Sequence, residues 1–339
     1  MAKDLLLAQH TRREEVTDPR LFIIILNWNG MTDLMECLQS VEKSTYKNEV
    51  IVVDNGSTDG SPAAVASEFP DVRLIQTGKN LGFGANNLGI TDAIQRGADY
   101  VLLLNNDTWV DPECFKRLVQ FAEAHPEAGI LSPRICYYSD PQLIWYDGGV
   151  LEKDDGFWNC GHVNENSLAS SVSQEARAVD YICGCAMLIR KSVVETIGGL
   201  DSRFFMYWED GDFSLRAKSA GFQLLHLPSA VVLHKVSRSI GGSQSPDARY
   251  YTERNRYFLS LKAGGLRNFG ALLKNHIRRC IWTYHDLMQD QESDQALAIA
   301  EAGWHSLIGR WGKRRGSPPR MVLRWLERRR KYRNSALRF

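Results

Sequence analysis

Three acidic side chains lie among aromatic ones in the segment Phe204–Phe213. Glu209, Asp210 and Asp212 fall within four consecutive positions of this stretch. Carboxylates crowded beside apolar rings are expected to hold protons more tightly, which suits a general base that acts on a hydroxyl group. A surface helix without a catalytic role is the alternative, although an amphipathic helix would space its charges differently. The segment therefore predicts general-base chemistry.

A second polar group, Asn105–Thr108, directly follows the apolar run Leu102–Leu104. Mg²⁺ and Mn²⁺ favour one or two carboxylates plus phosphate oxygens over a full protein cage, so Asp107 is a candidate metal ligand. His234 follows another apolar run, Ala230–Leu233, and is the second candidate. A strand-ending turn and a structural histidine are the respective alternatives.

Nucleotide chemistry is indicated by Asp54, which ends an apolar run and precedes short polar residues and two glycines. Such an aspartate can accept the ring N–H of uracil or thymine, but a helix-capping turn explains the same residues equally well. The segment Asn80–Gly89 matches a dinucleotide fingerprint only superficially, because Asn87 stands where glycine or alanine is needed. A nicotinamide-dependent dehydrogenase is therefore disfavoured.

These polar groups are positioned by apolar runs that alternate with helical patterns. The run Leu21–Leu26 predicts a buried strand, and apolar residues spaced as on one helix face follow from Leu34 to Val41. The alternation predicts an α/β fold with a doubly wound, mostly parallel sheet flanked by helices, whose ligands lie at the carboxyl ends of the strands. Residues 140–177 predict a long irregular active-site excursion, and the chain from about Tyr250 onward predicts amphipathic helices.

The composition is that of a globular protein with unevenly distributed charge. A chain of 339 residues with 44% hydrophobic content is large enough for a substantial core. The net charge is +1, yet twelve basic residues against the single acidic Glu327 give Arg310–Phe339 a charge of +11, which leaves −10 for the preceding residues. This split predicts an anionic partner for the tail, either a membrane surface or nucleic acid.

The cysteines and the hydropathy pattern bear on the compartment. Seven cysteines without paired CxxC motifs favour reduced, mostly buried thiols, and zinc ligation by Cys183 and Cys185 is disfavoured because partner ligands are not apparent. The N-terminus has no basic-then-apolar leader, and no apolar run approaches the roughly 18 residues of a membrane span. These features predict a cytoplasmic location.

Five motifs follow one another along the chain: Ile-Leu-Asn-Trp-Asn-Gly, Val-Val-Asp-Asn-Gly-Ser-Thr-Asp-Gly-Ser, Asn-Leu-Gly-Phe-Gly, Leu-Asn-Asn-Asp-Thr and Trp-Glu-Asp-Gly-Asp-Phe. In this order they resemble glycosyltransferase family 2 of GT-A fold, particularly its bacterial rhamnosyltransferase-like branch. The likeness spans roughly Leu21 to Ser260. Each motif is weak alone, but the ordered set is highly specific.

The resemblance implies a role for each matching residue. Those expected to bind the nucleotide-sugar are Asn27, Asp54, Asn80, Gly82, Phe83, Asn87, Asn106 and Asp107. Asp107 and His234 would bind the divalent metal, Mg²⁺ or Mn²⁺, although Asn105 replaces the first carboxylate of the family's DxD-like pattern. Asp210 would be the catalytic base, assisted by Glu209, and Trp208 and Asp212 would lie on the acceptor side.

The implied reaction is a single displacement that inverts the anomeric configuration. The donor would be a dTDP- or UDP-sugar carrying rhamnose or a hexose, and the acceptor a hydroxyl of a glycan or lipid-linked molecule in cell-surface polysaccharide synthesis. A non-catalytic nucleotide-sugar-binding protein on the same fold is the alternative. Nucleic-acid binding is disfavoured by the acidic body and by the lack of a recognisable motif.

The domain organisation predicted from these patterns has three parts. A polar leader covers residues 1–19, the GT-A domain covers 20–260, and a C-terminal helical region covers 261–339. In its basic amphipathic tail, Val322, Trp325, Leu326 and Tyr332 approach one side of a helix. Such a helix lies either on anionic lipid, at the inner face of the cell membrane, or against the acidic body.

Overall fold

The computed structural model describes residues 18–236, 244–264 and 269–336, the side chains of the last eight excepted. The predicted leader therefore lies almost wholly outside the described residues, as does the side chain of Tyr332. The first half of the chain alternates strands and helices: β1 (Leu21–Asn27), α1 (Met31–Glu42), β2 (Asn48–Asp54), α2 (Ser61–Glu68), β3 (Arg73–Gln76), α3 (Asn86–Gln95), β4 (Tyr100–Asn105), β5 (Thr108–Val110) and α4 (Cys114–Ala124).

The second half begins with strands and ends with helices: β6 (Ala128–Tyr137), β7 (Asp140–Tyr146), β8 (Gly149–Asp154), β9 (Phe157–His162), β10 (Arg177–Ala178), β11 (Ala186–Arg190), α5 (Lys191–Ile197), α6 (Glu209–Ser219), β12 (Gln223–His234), α7 (Pro246–Gly264), α8 (Phe269–Gln289), α9 (Ser293–Leu307) and α10 (Arg320–Ala336). The helical appendage expected after about Tyr250 is α7 to α10. None of the described helices is long and apolar enough to cross a membrane.

One large sheet organises the molecule, with strand order β10-β12-β6-β11-β4-β1-β2-β3, while β5 pairs with β12 and β7 with β6. Strands β3, β2, β1 and β4 are mutually parallel, and β6 is parallel to β12. Strand β11 runs antiparallel between β4 and β6. The predicted α/β class with helices flanking the sheet is confirmed, and the antiparallel strands enter where the chain leaves its regular alternation.

Alternate side chains of the central strands fill the two faces of the sheet. Ile23 and Ile25 join one buried cluster with α1 and α4, whereas Phe22 and Ile24 join the other with α3. Parallel strands that are covered on both faces have continuous apolar sequences, and for this reason β1 could be predicted from the sequence. Cys183 and Cys185 are buried in the first of these clusters.

The expectation of an irregular excursion over residues 140–177 is wrong in its first part. This stretch contains β7, which extends the large sheet, and the two-stranded sheet of β8 and β9. Many of its strand residues are only partly buried, so apolar alternation is weak and the strands were not legible. From 163 to 176 the chain is irregular apart from one short helical turn.

Helix α10 packs against the other C-terminal helices. Leu326 is buried, and Val322 and Leu323 pack with it on a cluster formed by α8 and α9. Trp325 remains 42% exposed. Part of the apolar side of this basic helix is therefore covered by the protein itself.

Candidate active site

The carboxyl ends of three parallel strands bring the first candidate residues together. Asn27 ends β1 directly opposite Asp54 at the end of β2. The Asn27 side chain donates to a carboxylate oxygen of Asp54 at 3.3 Å and accepts from the Asn106 amide at 2.7 Å. All three side chains are buried, so the structure gathers them into one polar cluster at the carboxyl edge of the sheet.

Asp54 also organises the turn that follows β2. Its second oxygen, Oδ1, accepts the backbone N–H groups of Gly56 at 3.2 Å and Ser57 at 2.9 Å. The side chain of Asn27 donates to the Ser57 hydroxyl at 3.2 Å. The two interpretations of Asp54, a residue that shapes a turn and a residue that binds a nucleoside, are therefore compatible. The carboxylate that shapes the turn also belongs to the polar cluster at the edge of the sheet.

The segment Asn80–Phe83 is locked against the chain that precedes α6. The Asn80 side chain accepts the Gly82 N–H at 2.8 Å, and the Phe83 N–H donates to the Phe205 carbonyl at 2.6 Å. Gly82 has φ +75°, and a Cβ there would overlap the Phe205 carbonyl, so this position requires glycine. Residues expected to bind the donor are therefore in direct contact with the segment that leads to the expected base.

Asn87 has a structural role that the sequence reading missed. Its amide group donates to the Leu200 carbonyl and accepts the Leu200 N–H, both at 2.8 Å. Both ends of the side chain are thereby used to hold the loop before α6. The structure places Asn87 outside the polar cluster of Asn27, Asp54 and Asn106, and its expected role in the nucleotide-sugar cleft stays a prediction.

A carboxylate and an imidazole face each other beside this cluster. Asp107 lies between β4 and β5, and His234 ends β12, which pairs with β5. The Asp107 Oδ1 and His234 Nε2 atoms are 3.1 Å apart, and both side chains are 5% exposed. The edge of Trp145 packs on the imidazole with ring centroids 4.5 Å apart, which restrains its orientation.

This pair fits a divalent ion of the Mg²⁺ or Mn²⁺ type. One carboxylate oxygen and one imidazole nitrogen are suitable donors, and such ions readily take their remaining ligands from phosphate and water. The His234 Nδ1 atom is buried without a hydrogen-bond partner among the described residues. The Nε2 atom would bind the ion, because it is the ring nitrogen that lies 3.1 Å from Asp107 Oδ1.

The chain before α6, residues 204–208, has an unusual backbone. Phe205, Tyr207 and Trp208 have φ values of +67°, +64° and +73°, a region that costs energy for residues other than glycine. The Asn255 side chain of α7 donates to the carbonyls of Phe204, Met206 and Tyr207 at 2.7 to 2.9 Å. Fully buried Asn255 thus secures a strained segment that delivers α6 to the site.

Asp210 lies in the first turn of α6, where three donors surround its carboxylate. Oδ2 accepts the Tyr181 hydroxyl at 2.8 Å and the Gly184 N–H at 3.0 Å, and Oδ1 accepts the Gly211 N–H at 2.8 Å. Burial raises the pKa of Asp210, although these hydrogen bonds oppose the rise. The result is a fixed carboxylate with increased basicity, as a general base requires.

Glu209 is the neighbouring acid at the start of the same helix. It is 5% exposed, and its Oε2 atom has no hydrogen-bond partner among the described residues. Burial, and then the charge of Asp210, raise the pKa of Glu209 well above the ordinary value. Asp210 accepts three hydrogen bonds that favour its ionised form, whereas Glu209 Oε2 accepts none from the described residues, so the surroundings of the two acids differ.

Trp208 and Asp212, which are expected on the acceptor side, are both buried. Trp208 is 7% exposed and packs in the core beside Gly211. Asp212 pairs with Arg216 at 2.8 Å and Lys262 at 2.6 Å, which ties α6 to α7. Residues two apart on a helix face different directions, so the spacing from Asp210 already points Asp212 elsewhere. The acceptor-side assignment of both residues stays a prediction.

Three residues that sequence reasoning did not select, Tyr181, Gly184 and Asn255, contact this site. A Cβ on Gly184 would lie 2.9 Å from the ring of Phe83 and 3.6 Å from the Cβ of Asp210, so donor segment and base meet at this glycine. A glycine between two cysteines at the start of a strand was the available signal. Asn255 lies in a polar stretch of a helix and gave none.

Comparison with known proteins identifies a family of sugar-transferring enzymes. The model of glycosyl transferase family 2 matches residues 22–198. An N-acetylglucosaminyl-diphospho-decaprenol L-rhamnosyltransferase of Mycobacterium tuberculosis is 31% identical over 72% of this chain and 85% of its own. The dTDP-rhamnosyl transferase RfbF of Shigella flexneri is 25% identical over 71% of this chain and 80% of its own.

Solved structures identify the same architecture. A mannosyltransferase of Pyrobaculum calidifontis, solved with GDP-Man and Mn²⁺, has a TM-score of 0.54 with 17% identity over 86% of this chain and 88% of its own. At that identity the likeness concerns the fold, which is the GT-A type. The family match covers more than half of the chain, so this protein is a glycosyltransferase of family 2 with a GT-A fold.

Proposed function

We propose that the chain transfers a sugar from a dTDP- or UDP-sugar to a hydroxyl of a glycan or lipid-linked acceptor, with inversion at the anomeric carbon. The observation that carries this proposal is the Asp210 carboxylate, fixed by three donors at the point where Phe83 and Gly184 meet. A base placed in this way serves a one-step displacement, which needs no covalent nucleophile.

Asp210 would take the proton of the acceptor hydroxyl. Oδ2 already accepts two hydrogen bonds, whereas Oδ1 accepts one and keeps capacity for another donor. Oδ1 is thus the oxygen that receives the proton as the acceptor oxygen attacks. Burial raises the pKa of the neighbouring Glu209, which favours its neutral form beside the donor.

The nucleoside diphosphate would leave from the other side of the site. Asp107 and His234 would hold a divalent ion, which supplies positive charge to the departing diphosphate. Asn27, Asp54 and Asn106 would bind the nucleoside end, and Asn80 with Gly82 and Phe83 would shape the wall of the cleft. The solved relative that contains Mn²⁺ supports a metal of this kind.

The names of the relatives support a substrate class. One acts on a diphospho-decaprenol carrying N-acetylglucosamine, and another is named for dTDP-rhamnose. We infer dTDP-rhamnose as the first donor to test and a polyprenyl-diphosphate-linked sugar as the acceptor, with UDP-hexoses as the second donor class. The pathway would be cell-surface polysaccharide synthesis.

A donor panel with Mn²⁺ or Mg²⁺ tests the proposal directly. The purified chain is incubated with dTDP-rhamnose or a UDP-sugar and an N-acetylglucosaminyl-diphospho-lipid, and release of nucleoside diphosphate and the anomeric configuration of the product are measured. Transfer with inversion is expected from one donor. Binding of a donor with neither transfer nor hydrolysis would instead support a non-catalytic nucleotide-sugar-binding protein.

Association with a membrane surface belongs to this proposal as well. Met321 and Trp325 are exposed on α10 beside the basic side chains of Arg324 and Arg328. Each basic side chain near an anionic surface contributes about 1 kcal/mol, so full-length protein should co-sediment with anionic vesicles at low salt. Loss of sedimentation in the variant R324Q/R328Q is expected, and unchanged sedimentation would assign α10 to docking alone.

A further inference from the structure

A cavity of about 360 Å³ lies where the C-terminal region meets the donor side of the catalytic domain. We call it the C-terminal pocket. Its walls combine Trp28, Phe205, Tyr251 and the Asn80 amide with the basic residues Lys313, Arg314 and Arg315 and the acidic residues Asp247 and Glu301. Trp28 directly follows Asn27 of the polar cluster, and Asn80 fixes the turn at Gly82. The pocket therefore adjoins the residues expected to bind the nucleotide.

The chain between α9 and α10 is firmly attached at this place. The Gly312 N–H donates to the Arg203 carbonyl at 2.7 Å, and the Gly312 carbonyl accepts from Arg254 at 2.6 Å. The Arg314 N–H donates to the Tyr251 hydroxyl at 2.7 Å. Arg254 is fully buried and also donates to the Phe204 carbonyl, so the segment and the approach to α6 share one anchor.

The three consecutive basic residues of this segment differ in their surroundings. Arg314 pairs with Glu301 at 2.6 Å and Asp247 at 2.7 Å, which neutralises its charge. Lys313 and Arg315 line the same pocket and are exposed, and within the described parts of the chain neither side chain has an ion pair. The two carboxylates of the pocket, Asp247 and Glu301, are thus both paired with Arg314, and Lys313 and Arg315 keep their charge unpaired among the described residues.

We infer that the C-terminal pocket binds a phosphate ester group of a substrate through Lys313 and Arg315. This inference rests on the proposed function, because it assigns to the helical appendage part of substrate binding. Ammonium and guanidinium groups bind phosphate oxygens through charge-assisted hydrogen bonds, and an aromatic wall suits the rest of such a molecule. The phosphate comes from the nucleotide donor or from a lipid diphosphate acceptor, and Trp28 and Asn80 lie on the donor side.

The test compares two full-length variants with the same loss of charge. K313Q/R315Q removes both cations from the pocket, and K274Q/R278Q removes two exposed cations from α8, outside it. Affinities for dTDP and UDP are measured by calorimetry with Mn²⁺, and KM is measured for an N-acetylglucosaminyl-diphospho-lipid. The pocket variant should bind the nucleoside diphosphate about tenfold more weakly, and the difference should shrink as salt is raised. The α8 variant should match the wild type.

An unchanged nucleotide affinity with a raised acceptor KM would assign the pocket to the acceptor's phosphate and would still support the inference. Equal values for both variants in both measurements would overturn it while leaving the proposed function intact. A wild-type protein that binds neither dTDP, UDP nor the lipid would instead refute the proposed function, and this inference with it.

Discussion

Burial raises the pKa of Asp210, the proposed base, and the hydroxyl of Tyr181 opposes this rise, so the direction in which its removal changes that pKa can be predicted. The hydroxyl donates to Asp210 Oδ2 at 2.8 Å in a buried environment, where water does not replace it. This bond favours the ionised carboxylate, so Tyr181→Phe raises the pKa of Asp210 further. A hydrogen bond to a charged group contributes about 1.5–3 kcal/mol, so its loss should weaken the ionisation of Asp210 by roughly 10- to 100-fold.

The assay is the pH dependence of kcat/KM, which reports groups of the free enzyme. The base acts when ionised, so activity falls as pH drops through the pKa, and the acid limb of Tyr181→Phe should move to higher pH by about one to two units. Activity above the limb should approach that of the wild type. Tyr46→Phe is the matched control, because its hydroxyl donates to the Pro19 carbonyl before β1, at the opposite end of that strand. An unmoved limb, or one moved to lower pH, would refute the reasoning.

Three further expectations concern the segment before the base, the metal site and the stability of the fold. Asn255→Ala should lower kcat by about 10²-fold, more than it weakens donor binding, because the 204–208 segment loses its anchor; Asn255→Asp, which cannot donate, should not rescue it in steady-state kinetics. His234→Ala should weaken Mn²⁺ binding measured by electron paramagnetic resonance, and unchanged binding would remove this ligand. Burial alone would raise the pKa of Asp147, but hydrogen bonds from His226 and Arg134 lower it, so it stabilises the fold above its unfolded pKa and less as pH falls. Asp147→Asn should therefore cost about 3–5 kcal/mol at neutral pH and flatten the acid side of the stability curve in urea unfolding.

The strands of the parallel part of the sheet could be predicted from the sequence, because their local patterns agree with their tertiary packing. Strand β1 lies between β2 and β4 with both faces covered, so its residues form an uninterrupted apolar run. Asn27, Asp54 and Asn106 lie at or directly after the ends of neighbouring parallel strands, and the structure gathers them at the carboxyl edge of the sheet, where they are expected to lie from the sequence. Strands β7 to β9 escaped notice because their residues alternate only partially between buried and exposed positions.

The direction in which each side chain points could not be predicted from the sequence for individual site residues. Within α6, Asp210 faces Tyr181, and Asp212, two positions further along the helix, faces Lys262. Their directions depend on where α6 begins, and that start is set by the unusual backbone at Trp208 and by Asn255, far along the chain. A contact between residues about fifty positions apart leaves no local periodicity by which it could be found.

The measurement that tests the central claim most directly is transfer by Asp210→Asn. The amide keeps the shape of the side chain but cannot take the proton of the acceptor hydroxyl. With the donor that the panel identifies, we expect the rate of transfer to fall by about 10²–10⁴-fold while the donor dissociation constant stays unchanged. The control is Asp180→Asn, at an aspartate whose side chain is 45% exposed and pairs with Lys218, and it should transfer at the wild-type rate. Near-normal transfer by Asp210→Asn would contradict the account.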